Sequence, residues 1–100
     1  MEIKIMKDAN QATVEVIGDI DEKGAEKLKE SILDLVTSKE ITFDFREVKY
    51  IGSSGIGKLL LFYKNVAMHE GTIKIANVQT DIYKMLREMK LDTIFTITEK

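Results

Sequence analysis

Tyr50-Ile51-Gly52-Ser53-Ser54-Gly55-Ile56-Gly57-Lys58-Leu59 is the stretch on which the reading of this chain turns. Three glycines fall within six residues there. Glycine carries an entropic cost on ordering, so such a cluster signals a backbone that needs unusual angles or close approach. Upstream, Ile41-Thr42-Phe43-Asp44-Phe45 alternates like a strand. Downstream, Ile56, Leu59, Leu60, Tyr63, Val66 and Ala67 recur at spacings of about three and four and predict the core stripe of a helix running to about His69. Leu61 and Phe62 fall off that stripe, as second-layer core or as a face for a partner. The stretch is therefore a strand-to-helix junction. A helix start offers unpaired amides and the positive end of the helix dipole, and here two serines stand beside it.

Working outward, the flanks alternate short strands with helical patterns. Glu2 to Met6 and Ala12 to Ile17 read as a hairpin, with Lys7-Asp8-Ala9-Asn10-Gln11 as the turn. Gly18-Asp19-Ile20-Asp21 leads into a helix on which Ala25, Leu28, Ile32, Leu35 and Val36 share a face, with Asp21 placed to cap it. After the central helix, Gly71 is the expected left-handed cap and Thr72 to Val78 the next strand. Thr80 is expected to cap a third helix that aligns Ile82, Met85, Leu86 and Met89, and Thr93 to Thr98 to close the chain as a strand. The order is ββαβαβαβ, an α/β fold with a mixed sheet and packed helices. With 100 residues and no linker-like stretch, residues 1–100 read as one domain.

Composition removes whole classes of chemistry. There is no cysteine and a single histidine, His69, so Cys-ligated metals, disulfides and multi-His sites are out. Fifteen basic and 17 acidic residues leave a formal charge of −2, with only Arg46 and Arg87 able to make guanidinium forks, which argues against nucleic acid as a partner. The apolar run Leu59 to Tyr63 is too short to span a membrane, and the alternating start is unlike a signal peptide. A cytoplasmic location is expected.

Three catalytic or nucleotide readings of the serine–glycine stretch are possible and each departs from its pattern. Gly52 to Lys58 matches the first seven positions of G-x-x-x-x-G-K-[ST], but Leu59 cannot bind magnesium as the eighth residue does, so a nucleotide-binding role would need a degenerate P-loop. The spacing G-x-x-G-x-G reverses the dinucleotide fingerprint. The nucleophile elbow G-x-S-x-G is not matched, and His69 is the only possible base. Ser53 or Ser54 can also serve simply as a helix N-cap.

The segment from Phe43 to Leu60 resembles the signature of the STAS-domain, anti-sigma-factor-antagonist family. Asp44-Phe45, Tyr50-Ile51 and Ser53-Ser54-Gly55-Ile56-Gly57 fit its strand ending, its apolar pair and its D-S-S-G-[LI]-G helix start. Gly18-Asp19-Ile20-Asp21 and Glu70-Gly71-Thr72-Ile73 are similar to two further family turns, and the element order agrees. The resemblance implies a STAS-like domain that works by binding, with no catalytic residue, metal or cofactor of its own. It implies an anti-sigma factor that is also a serine kinase as partner, release of the sigma factor on binding, phosphorylation of Ser53 as the off switch, and a phosphatase as reset. ATP and Mg²⁺ belong to the kinase. The implied contact residues are Asp21, Ser53, Ser54, Gly55 and Ile56. The alternative is a STAS-like module in another signalling scaffold. One position departs from the family: Gly52 stands where an acidic residue usually precedes the serines.

Overall fold

The computed structural model describes residues 1–100. Glu2–Lys7 (β1) and Gln11–Ile17 (β2) form an antiparallel hairpin. Its turn is held by Asp8, whose Oδ1 accepts from the amides of Asn10 and Gln11 at 3.2 and 3.0 Å. Glu22–Ile32 (α1) and a single 3₁₀ turn at Leu33–Leu35 lead to Glu40–Glu47 (β3). Ser53–Met68 (α2), Thr72–Val78 (β4), Thr80–Glu88 (α3) and Thr96–Glu99 (β5) complete the chain. The five strands lie in the order β1-β2-β3-β4-β5, parallel from β2 onward. The fold is thus mixed α/β in the order expected.

Register explains the layering. Ala12, Ile41 and Ile73 lie side by side across the sheet, as do Val14, Phe43 and Ile75, and all six are buried. Their alternates, Thr13, Thr42 and Lys74, look the other way and meet solvent. Parallel neighbours joined by right-handed crossovers in steady sequence place their helices on one side. One core of 24 buried residues gathers Leu28 of α1, Leu59 of α2 and Leu86 of α3 onto that face. The other face of the sheet is bare.

Several local expectations are corrected. Along α2 the buried line is Gly55, Ile56, Leu59, Phe62 and Val66, with Tyr63 half-buried. Leu60 and Ala67, expected in the core, are exposed, and Phe62, expected off the stripe, packs edge-on to Phe43 at 5.9 Å. The left-handed residue after α2 is Glu70, with φ 61°. Gly71 serves a different need: a Cβ there would lie 2.7 Å from the Ser38 carbonyl oxygen. The cap of α3 is Gln79, one residue before Thr80. Leu91–Thr93 form a 3₁₀ turn, so β5 starts at Thr96 and not at Thr93.

Candidate functional site

The site is built by two loops zipped side by side. After β3 the buried Val48 folds back, its amide donating to the Phe45 carbonyl at 2.9 Å, and the chain runs extended through Tyr50 and Ile51. The Gly18–Asp21 turn lies alongside. The Gly18 amide donates to the Glu47 carbonyl at 3.1 Å, Ile20 to Tyr50 at 2.8 Å, and Gly52 to Ile20 at 3.0 Å. Ile20 and Ile51 thus form a parallel bridge with both side chains buried. Gly18 has φ +116°, a conformation that L side chains rarely adopt, which fits glycine at this turn. Because the bridge is parallel, both chains leave it in the same direction, each into a helix. Asp21 and Ser53 therefore emerge together on one surface, although 32 positions separate them in the sequence.

The two helix starts are capped differently. Asp21 caps α1, its Oδ1 accepting from the Gly24 amide at 2.8 Å. Gly52 is the cap residue of α2 and offers no side-chain acceptor. Ser53 is the first residue inside the helix and Ser54 the second; both are exposed, and neither hydroxyl caps the helix. The N-cap reading of the serines is thereby corrected. The first amides of α2 point outward without a side-chain partner, the electropositive arrangement that favours an anion. A Cβ built on Gly52 would lie 2.8 Å from the Tyr50 hydroxyl, so Tyr50, itself half exposed, folds over the position where the family carries its acid.

Beneath this surface the packing is tight. A Cβ on Gly55 would lie 2.6 Å from Ile20 Cγ2 and 2.8 Å from Ile51 Cγ1. Gly55 is therefore required so that α2 can rest on the bridge. Ile56 is 6% exposed and points into the core. Both were expected among the contact residues; both lie beneath the surface that carries Ser53 and Ser54 and support it. Sequence reading missed Tyr50 as part of that surface. Strand alternation was the available signal, since burying Ile51 turns Tyr50 outward.

The rival chemistries lose their geometry. α2 begins at Ser53, so Gly55, Gly57 and Lys58 lie in a regular helix and form no open phosphate-wrapping loop. Lys58 Nζ is instead paired with Glu26 Oε1 of α1 at 3.0 Å. Its hydrogen bond and its charge, with a smaller contribution from Lys29, hold the Glu26 carboxyl below the usual carboxylate range. His69 caps the far end of α2, about 24 Å of helix from Ser53 at 1.5 Å per residue. No group of three metal-ligating side chains converges anywhere in the chain. No helix is long and apolar enough to cross a membrane.

Comparison with known proteins agrees with this layout. The STAS domain family model matches residues 2–100. The anti-sigma-B factor antagonist of Bacillus subtilis (strain 168) is 23% identical over 99 residues, covering 98% of this chain and 91% of that protein. The crystal structure of an anti-sigma factor antagonist from Mycobacterium paratuberculosis superposes with a TM-score of 0.85 at 20% identity, covering 99% of this chain and 86% of that one. The Bacillus cell fate determinant SpoIIAA in its phosphorylated form superposes with a TM-score of 0.76 at 15% identity, covering 96% and 90%. These superpositions show the shared fold, and the family match spans the serine-bearing helix start and the turn that holds it: the chain belongs to the STAS domain family.

Proposed function

We propose that this chain is an anti-sigma-factor antagonist which binds an anti-sigma factor with serine-kinase activity, frees the sigma factor, and is switched off by phosphorylation of Ser53. The observation that carries the reading is the Ser53 hydroxyl, exposed and not used as a cap at the first position of α2, on the surface it shares with Asp21. A phosphate there adds roughly −1.5 to −2 charge. The amide-rich helix start tolerates that charge within the molecule, whereas a partner packed on this face meets it as bulk and repulsion. Losing about 3 kcal/mol of association weakens a complex more than a hundredfold. The switch is local and needs no refolding. Asp21 and Ser54 complete the contact surface, with Gly55 and Ile56 as its support. A phosphatase resets the chain, nucleotide and metal belong to the kinase, and the chain acts in the cytoplasm as a regulator rather than as an enzyme.

The test is incubation with the anti-sigma-factor kinases of the source genome and ATP, followed by intact mass and peptide mapping. One phosphate on Ser53 is expected. Ser53→Ala keeps partner binding and Ser53→Asp loses it. Binding of Ser53→Asp as tight as wild type would overturn the electrostatic account, and an unmodified Ser53 beside an active kinase would overturn the switch.

A further inference from the structure

Met1 is packed onto the turn that carries Asp21. The hairpin register sets Glu2 opposite Ile17, so Met1 falls beside Gly18. A Cβ built on Gly18 would lie 3.3 Å from Met1 Cα, and one on Gly24 would lie 2.9 Å from Met1 Cε. Lys27 Nζ of α1 donates to the Met1 carbonyl at 2.7 Å. Met1 thus straps the Gly18–Asp21 turn to the start of α1, and its terminal methyl takes the room that a side chain at position 24 would need.

The place where that methyl lies is lined by acceptors. The same Cβ on Gly24 would lie 2.8 Å from the Asp19 carbonyl oxygen and 3.2 Å from Asp21 Oδ1. The Gly24 amide already serves Asp21 Oδ1, and Lys27 Nζ serves the Met1 carbonyl. A methyl suits such a place. An added oxygen does not, because it would face two acceptors whose neighbouring donors are engaged.

The chain has five methionines and no cysteine, so thioethers are its only oxidisable sulfur. Met6, Met68 and Met89 project into solvent, and Met85 packs on the core from α3. Met1 is 37% exposed, open to a small oxidant and yet seated on the turn.

We propose that Met1 is a reversible oxidation site whose sulfoxide releases the strap and loosens the turn that presents Asp21. The oxidant is a peroxide. A sulfur lone pair takes one peroxide oxygen, the O–O bond breaks, and the departing hydroxide collects the proton left on the new sulfoxide oxygen to form water. Sulfur loses two electrons and the peroxide gains them. Methionine sulfoxide reductases reverse the step. The loosening of the turn stands apart from the antagonist reading; its effect on partner binding rests on that reading.

The experiment compares wild type with Met1→Leu, a swap of similar volume, made by scarless cleavage of a leader so that residue 1 can be chosen. Both are treated with hydrogen peroxide and mapped by peptide mass, and amide exchange is followed by NMR. In oxidised wild type, one oxygen on Met1 is expected, with exchange at Gly18, Ile20 and Gly24 faster by about tenfold or more and Tm lower by about 4 °C or more. Reductase treatment restores both. Met1→Leu carries the same oxygens on its other methionines and keeps its protection. Calorimetry with the anti-sigma-factor kinases of the source genome is expected to show affinity weakened about tenfold in oxidised wild type alone. Unchanged exchange at those three amides, equal loosening in Met1→Leu, or native chain isolated without Met1 would overturn the strap. Full affinity of the oxidised chain for a kinase that binds the reduced one would overturn its effect on the partner. A chain that binds none of those kinases in either state would overturn the antagonist reading, while the exchange data would still decide the strap.

Discussion

The Gly52 amide donates to the Ile20 carbonyl at 3.0 Å, and the Ile20 amide donates to the Tyr50 carbonyl at 2.8 Å. Ile20 is thus gripped from both sides of Ile51, and this clasp sets the spacing between the two helix starts. Gly55 rests on it. Gly55→Ala is expected to destabilise the chain by about 1–3 kcal/mol, although alanine is the better helix former, because the added methyl must push Ile20 and Ile51 apart. Urea unfolding followed by circular dichroism checks this; a stabilised variant would show that the clasp yields.

Asp21 has two separable roles, cap and contact. Asp21→Ala is expected to cost about 1 kcal/mol, whereas Asp21→Ser retains most of the cap. If the carboxylate also touches the partner, both variants lose affinity while only the alanine variant loses stability. Melting temperatures set beside calorimetric affinities distinguish the two, and a serine variant with full affinity would leave Asp21 as a cap alone.

Ser53→Asp is expected to raise stability while it abolishes binding. A carboxylate at the first position of α2 faces amides that no side chain caps, a placement worth about 0.3–1 kcal/mol. The phosphorylated chain should shift in the same direction. Thermal melts of wild type, Ser53→Ala and Ser53→Asp at low salt are the measurement, and a lower Tm for the aspartate variant would contradict the open helix start.

The Glu26–Lys58 pair gives a pH signature. The folded carboxyl titrates below its ordinary value near 4.5, so its contribution is present above that value and is lost as pH falls through the depressed one. The Tm advantage of wild type over Glu26→Gln is expected to be small, constant at neutral pH, and to vanish in acid. Because the pair is exposed, added salt should shrink it as well. An advantage that grew on acidification would contradict the assignment.

Legibility followed the range of the forces involved. The hairpin, α1 and the buried alternation of β2 to β4 were readable because local periodicity marks them. The phase of α2 was not: Leu59-Leu60-Leu61-Phe62-Tyr63 is apolar all round, and only contact with Phe43 settles that Phe62 turns inward. Asn77, with φ 59°, lies at the register shift of β4, where its side-chain Nδ2 donates to Asp44 Oδ1 at 3.2 Å; no local pattern announces a bond spanning 33 positions. At the site, the serine motif could be read directly, whereas the placing of Asp21 and Ser53 at neighbouring helix starts depends on the Ile20–Ile51 bridge, a tertiary contact. Gly52 could be read as a departure from the family, but not the Tyr50 hydroxyl that lies over it.

The steady strand order has one more consequence. Because the parallel strands never reverse their direction of travel across the sheet, no cleft opens between helices on opposite faces, the usual berth of a small ligand in α/β proteins. A molecule without an interior berth has only its skin on which to keep a record. Under the proposed switch that record is one ester on Ser53, written and erased by other proteins, so the tempo of the response is theirs to set and the chain need only stay rigid enough to be read.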